Sequence, residues 1–249
     1  MTTELQQFFR DHPKAAMAFS GGVDSAYLLY TAAACGADIR PYYVKSVFQP
    51  AFELEDARRL ADQLRLPLTV LELDVLAAPH VAVNPPDRCY YCKRAMFQRI
   101  SDQARRDGYP LVIDGTNASD IVEERPGLRA LREQGVRSPL REAGLSKAEI
   151  RGLSNRVGLF TWNKPAYACL ATRIAPGEPI TSQALERVEA AESALGVLGF
   201  EDFRVRVQGR GAKLQLKGHQ MEMAVRRREE VVKALSPYFT TIVLDLEGR

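Results

Sequence analysis

One turn constrains this chain more than any other feature. Ala15-Ala16-Met17-Ala18-Phe19 is an apolar run of strand length, and Tyr27, Leu28, Leu29, Ala32 and Ala33 follow it at helical spacing. Between them stands Ser20-Gly21-Gly22-Val23-Asp24-Ser25, a small-residue turn feeding a helix. Paired glycines allow positive φ and let the backbone approach a ligand closely. The N–H groups of the helix start then favour an anion. Ser20 and Ser25 add hydroxyl donors, and Asp24 is placed to hold a divalent metal on bound phosphates. A Gly-Gly turn also serves as a purely structural device. The stretch is not a Walker A loop, since no Gly-Lys-Ser/Thr follows, nor does it have the spaced glycines of a dinucleotide fold.

Strand and helix patterns then alternate. Residues 1–11 read as a short helix and residues 39–47, rich in β formers, as the second strand. Residues 51–64 carry Phe52, Leu54, Ala57, Leu60, Ala61 and Leu64 at amphipathic helical spacing. Residues 67–73 and 111–113 read as the third and fourth strands. The pattern predicts an α/β fold, a parallel sheet with helices on both faces and a ligand at the carboxyl ends of the strands. Asp114-Gly115-Thr116-Asn117-Ala118-Ser119-Asp120 follows the fourth strand and is a candidate wall for that ligand. Ser146-Lys147-Ala148-Glu149 is a capping box opening a helix to Val157, and reads as structural.

From Ile180 the pattern changes to a helix over 182–198, strands over 203–207 and 212–216, a helix over 219–235 and a last strand over 240–246. This predicts a large domain over 1–176 and a small α+β domain over 177–249. Arg204 and Arg206 alternate with valines, so both guanidinium groups share one strand face. That face suits a phosphate gripped bidentately or a solvated edge. Glu189 and Glu192, on the preceding helix, are both candidate metal or substrate contacts.

Four cysteines are too few to scaffold a 249-residue chain with disulfides, and the context reads cytoplasmic. Asn84-Pro85-Pro86-Asp87 forces an extended entry to a helix that Asp87 can cap and that runs to about Arg106. Cys89 and Cys92 share one side of its start, where the helix terminus, Arg88, Lys93 and Arg94 favour thiolates. The pair suits half a zinc site, incidental thiols or, with Cys169 added, a three-thiolate cluster site. Cys169 lies between Lys164 and Arg173, a setting for a reactive thiolate or for an inert buried thiol. Cys35 reads as a small core residue.

Composition excludes other classes. Apolar residues make up 46% and charged residues 26%, as in an ordinary globular protein. No segment approaches the roughly twenty apolar residues that span a bilayer, and residues 1–13 carry no signal-peptide core. A net charge of +3 offers little to nucleic acid.

Together these pieces resemble one family. Ser20–Ser25 resembles the PP-loop of the N-type ATP pyrophosphatases. Asp114–Asp120, Arg125-Pro126-Gly127, Ser138-Pro139-Leu140, Lys147-Ala148-Glu149-Ile150-Arg151, Lys164-Pro165, Cys169-Leu170-Ala171-Thr172-Arg173 and Arg204-Val205-Arg206-Val207 follow in the order of LarE-type enzymes. The resemblance spans nearly the whole chain, and Cys-Leu-Ala-Thr-Arg after Lys-Pro is its most specific mark. It implies an adenine nucleotide α-hydrolase-like fold and an ATP-dependent sulfur transferase acting on a pyridinium biscarboxylate mononucleotide, for the nickel-pincer cofactor of lactate racemase. By resemblance, Ser20, Gly21, Gly22, Asp24 and Ser25 hold ATP with Mg²⁺, Gly115 and Thr116 line the nucleotide, and Arg125 lies near the phosphates. Arg204 and Arg206 take the substrate's phosphate, with Arg173 beside them in the substrate site. Cys169 holds the place of the sulfur-donating cysteine. One branch of the family sacrifices that sulfur and leaves dehydroalanine. The other holds a [4Fe-4S] cluster on three cysteines, which Cys89, Cys92 and Cys169 match. Homo-hexamers are expected from the family. The rival readings are a PP-loop tRNA-thiolating enzyme, an ATP-dependent amide ligase, and a non-catalytic nucleotide-binding module with zinc on the Cys89–Cys92 pair.

Overall fold

The computed structural model describes residues 2–120 and 126–249. Its contacts cluster into two units, Met1–Ala78 with Asp87–Ala166, and Pro79–Pro86 with Tyr167–Arg249.

The first unit runs α1 (Thr3–Asp11), β1 (Lys14–Ala18), α2 (Val23–Ala34), β2 (Asp38–Lys45), α3 (Ala51–Gln63) and β3 (Thr69–Glu72). It continues with α4 (Arg88–Arg106), β4 (Val112–Ile113), α5 (Pro126–Glu133), α6 (Pro139–Glu142) and α7 (Lys147–Arg156). The strands pair in parallel in the order β3-β2-β1-β4. A parallel bridge from Ile113 to Arg137 extends the ladder one step past β4. Buried on both faces, β1 sends Ala15 and Met17 into one core and Ala16 into the other. The first core takes α2 through Tyr27, Leu28 and Leu29 and α3 through Ala57 and Leu60. The second takes α4 through Phe97, Ile100 and Ala104. Each fully buried large apolar side chain stabilises this arrangement by roughly 1.5–3 kcal/mol.

Strand order reverses between β1 and β4, because β2 and β3 lie on one side of β1 and β4 on the other. The turns after β1 and β4 therefore flank a topological switch point, where open α/β sheets bind ligands.

The second unit holds α8 (Ser182–Val197), β5 (Arg204–Gln208), β6 (Gly211–Gln215), α9 (Gly218–Arg226), α10 (Arg228–Leu235) and β7 (Ile242–Leu244). β5 and β6 form an antiparallel hairpin and β7 joins β6 in parallel. Leu185, Val188 and Leu195 of α8 are buried with Val205 and Leu214 of the sheet and Leu235 of α10. Pro79–Pro86 is tied into this unit, since Asn84 Nδ2 donates to the Ala175 carbonyl at 2.8 Å and the Ile180 N–H to that of Ala82 at 2.7 Å.

Two local expectations change. The helix expected over 219–235 breaks at Arg227 (φ −101°, ψ 26°), whose Nη1 donates to the Leu198 carbonyl at 2.7 Å. Asp87 occupies the N-cap of α4, but its side chain makes no capping bond there. The Asp87 carbonyl instead accepts the Tyr90 N–H at 2.8 Å. Among the described residues no helix is long and apolar enough to cross a membrane.

Candidate active site

In the first unit the turn after β1 closes on itself. The Ser20 and Ser25 hydroxyls lie 3.1 Å apart, Ser25 Oγ donates to the Gly22 carbonyl, and the Gly22 N–H reaches Ser20 Oγ at 3.4 Å. Gly21 has φ +69°, and a Cβ there would stand 3.2 Å from the Ala57 backbone of α3. Gly22 is the N-cap of α2 and makes no side-chain cap bond, as a glycine must. This leaves the α2 terminus open to an anion.

The turn after β4 presses directly on that terminus. A Cβ on Gly115 would lie 2.9 Å from the Ser25 nitrogen and 3.1 Å from its Cα. Only glycine fits this approach. Thr116 is buried beside it, with Oγ1 donating to Asp114 Oδ2 at 2.5 Å, and Ser138 Oγ donates to Asp114 Oδ1 at 2.6 Å. Asn117 accepts the Ser119 N–H at 2.8 Å, which folds the loop back.

Asp24, in the first turn of α2, pairs through Oδ2 with Lys147 Nζ. Its Oδ1 is buried and has no hydrogen-bond partner among the described residues. Burial pushes its carboxyl above the ordinary value, and the Lys147 bond and charge oppose that rise. A buried carboxylate oxygen lacking a donor suits a hard cation such as Mg²⁺. Lys147 is held by the capping box of α7, in which Ser146 accepts the Glu149 N–H and Glu149 accepts that of Ser146. Its own N–H donates to Ser119 Oγ at 3.0 Å. Sequence reading took this capping box as structural and missed the ammonium. Arg125 lies outside the described residues.

The first turn of α4 carries Cys89, exposed, and Cys92, half-buried, one turn apart and in no disulfide. An Arg88 guanidinium nitrogen lies 3.8 Å from Cys89 Sγ, and Cys92 Sγ lies 3.7 Å from the Met96 sulfur. α5 begins against this turn, since a Cβ on Gly127 would stand 3.2 Å from Lys93 Cγ and 3.6 Å from the Cys89 carbonyl. Cys35 packs half-buried at the core edge, where burial raises its thiol pKa.

In the second unit Cys169 precedes a 3₁₀ turn, Leu170–Arg173. Arg173 is 1% exposed. It grips Glu192 bidentately at 2.8 and 2.9 Å and donates through Nη1 to the Ala168 carbonyl at 2.7 Å, the Cys169 carbonyl at 3.3 Å and Thr172 Oγ1 at 2.9 Å. Arg173 thereby shapes the loop carrying Cys169. Glu192 also accepts the Tyr167 hydroxyl at 2.6 Å and the Val205 N–H at 2.9 Å. Arg204, 6% exposed, lies over the Tyr167 ring at 5.1 Å and donates to the Phe203 carbonyl. Burial, then the Arg173 charge, lowers its pKa. Arg206, half-buried, donates from Nη1 to the Thr172 carbonyl at 2.7 Å and from Nε to Gln215. Among the described residues no three His, Cys, Asp or Glu side chains converge as metal ligands.

No family model matches the chain. It is 37% identical over 248 residues to the Synechocystis protein slr1717, covering 98% of this chain and 92% of that one. It is 33% identical over 242 residues to the pyridinium-3,5-bisthiocarboxylic acid mononucleotide synthase of Lactiplantibacillus plantarum, covering 96% and 88%. More distantly, it is 26% identical over 183 residues to the tRNA-specific 2-thiouridylase MnmA of Salinispora tropica, covering 59% and 51%. With its turn after β1, its four-stranded parallel sheet and these relatives, the chain belongs to the LarE-type family of ATP-dependent sulfur transferases, within the PP-loop superfamily.

Proposed function

We propose that this enzyme adenylates a carboxylate of a pyridinium carboxylate mononucleotide and converts it to a thiocarboxylate for nickel-pincer cofactor synthesis. The observation that carries the reading is the α2 terminus, open beneath Gly115 with the unpartnered Asp24 Oδ1 beside it. The turn Ser20, Gly21, Gly22, Asp24 and Ser25 would hold the ATP phosphates, with Asp24 taking Mg²⁺. Gly115 and Thr116 wall the nucleotide, and Arg125 is assigned to the phosphates. A carboxylate is a poor electrophile. Attack of its oxygen on the α-phosphorus releases pyrophosphate, and the acyl-adenylate then accepts a sulfur nucleophile with AMP leaving. Lys147, beside Asp24, supplies positive charge where the leaving pyrophosphate gathers negative charge. In the smaller domain, assigned to residues 177–249, Arg204 and Arg206 take the substrate's phosphate. Arg173, which the resemblance assigns to the substrate site, would serve there by ordering the Cys169 loop. We take the enzyme to act in the cytoplasm as a homo-oligomer, with a hexamer expected of the family.

For the sulfur we favour a cluster route. Cys89, exposed, and Cys92, half-buried, one turn apart at a helix start, suit two ligands of a [4Fe-4S] cluster, with Cys169 as the third. Bound there, the cluster would supply a sulfide at the iron that no cysteine holds. The second reading has Cys169 attack the acyl-adenylate itself, after which elimination leaves dehydroalanine and frees the thiocarboxylate. It is favoured by the loop of Cys169 itself, which Arg173 orders through the Ala168 and Cys169 carbonyls.

Anaerobic purification, with iron, sulfide and intact mass measured before and after turnover with ATP, separates the two. The cluster route predicts iron and sulfide that are lost in Cys89→Ala, and an unchanged polypeptide mass. A protein without iron, lighter by one H₂S after turnover, assigns the donor role to Cys169. No AMP or pyrophosphate release with the mononucleotide would overturn the adenylation reading.

A further inference from the structure

One face of the small sheet holds a polar chain leading away from Arg206, and the assigned chemistry does not use its Lys213, Gln215 or Asp245. β5 and β6 pair Arg204 with Gln215 and Arg206 with Lys213, so these four side chains share one face. Gln215 Oε1 accepts from Arg206 Nε. Gln215 Nε2 donates to Asp245 Oδ2 at 2.8 Å, and Lys213 Nζ lies 2.9 Å from the same oxygen.

Asp245 is itself fixed just past β7. Its N–H donates to the Leu214 carbonyl at 2.8 Å, its carbonyl accepts the Gly248 N–H at 3.1 Å, and its Oδ1 accepts the Glu247 N–H at 3.3 Å. An ionised carboxylate only accepts hydrogen bonds, so it must draw the amide NH₂ of Gln215 toward itself. That leaves the amide oxygen facing Arg206 and settles which way Gln215 points. With Nε held by Gln215 and Nη1 by the Thr172 carbonyl, the guanidinium plane is pinned at two points. Among the described residues Nη2 donates to no protein acceptor. A planar donor fork oriented in advance loses less freedom on meeting a phosphate.

We propose that Asp245 and Gln215 are positioning residues which fix the Arg206 guanidinium for the phosphate of the mononucleotide substrate. The inference rests on the assignment of Arg206 to that phosphate. Steady-state kinetics of Gln215→Leu, Asp245→Ala, Asp245→Asn and Arg206→Ala test it, beside calorimetric titration with nicotinic acid mononucleotide and thermal melts. Gln215→Leu and Asp245→Ala are expected to raise KM for the pyridinium mononucleotide about tenfold, the effect of one charge-assisted hydrogen bond, and to weaken the titrated affinity equally. The turnover number and the KM for ATP stay unchanged. Asp245→Asn keeps an acceptor for Gln215 and restores the affinity to within about twofold of the native enzyme. Native KM in Gln215→Leu and Asp245→Ala beside a raised one in Arg206→Ala overturns the relay. So does an Asp245→Asn enzyme as impaired as Asp245→Ala, which would make the Lys213 charge the cause. An Arg206→Ala enzyme with native KM removes the phosphate assignment, and the relay falls with it.

Discussion

The turn after β1 and the arginine cluster of the second unit are the two regions assigned to anions, and they are made of different material. In the first, glycines bring backbone onto backbone. Gly115 meets Ser25, Gly21 meets Ala57, and the α2 terminus carries no side-chain cap. In the second, the cations are already engaged with protein acceptors. Arg173 is committed to Glu192 and three oxygens of its own loop, while Arg206 is held by Thr172 and Gln215. The first region is sensitive to added volume and the second to lost charge. A backbone site has no rotamers to order, whereas a side-chain site must have its rotamers fixed by neighbours.

Removing one charge from the second region should have the largest effect. Arg173→Ala leaves Glu192, 7% exposed, without its counter-ion. Equilibrium denaturation should show a loss of about 3–5 kcal/mol, the usual cost of stranding one member of a buried pair. Arg173→Lys should not rescue it, since one ammonium cannot reproduce the two-pronged grip. A loss within experimental error would mean that Glu192 finds other donors and that the network is not what holds the Cys169 loop.

Added volume in the first region comes next. A methyl group at Gly115 would collide with the Ser25 backbone and displace the α2 terminus. Gly115→Ala should therefore lower kcat/KM for ATP roughly a hundredfold, as an ångström-scale misplacement does. Near-native ATP kinetics in this variant would show that the close approach is incidental to nucleotide binding.

The smallest effect is expected at the exposed Arg137–Glu142 pair, which belongs to neither region. The Arg137 hydrogen bond holds the Glu142 carboxyl below its ordinary value. A depressed carboxyl contributes stability above its unfolded value and loses it as pH falls through the folded one. Glu142→Gln should cost no more than about 1 kcal/mol at neutral pH, because solvent screens the pair. Its melting temperature should also decline less steeply in acid than that of the native protein. Identical acid profiles would remove Glu142 from the pH response.

The same division explains what could be read in advance. The turn at Ser20–Ser25 was legible because a glycine pair between an apolar run and a helical one marks the passage from strand to helix. The parallel sheet was legible from the alternation of patterns. Lys147 was not, because its partner Asp24 lies 123 positions away and its own surroundings spell a helix cap. Glu189 and Glu192 could not be separated by residue type. A signal was nevertheless present, since Leu185, Val188, Glu192 and Leu195 recur at the spacing of one buried helix face. An acid on such a face needs a buried cation, and Arg173 fills that role. The single helix expected over 219–235 failed at Arg227, whose side chain reaches a carbonyl in another element.

The passage of Pro79–Pro86 into the second unit has a consequence for how this enzyme can be cut or recombined. The backbone leaves the first unit after Ala78, re-enters it at Asp87 and leaves again at Tyr167. No single cleavage separates the two as intact pieces. A fragment ending at Ala166 retains Pro79–Pro86 but loses the Ala175 and Ile180 groups that bind it, and a fragment starting at Tyr167 lacks the segment altogether. Neither unit can be exchanged as a cassette at one junction.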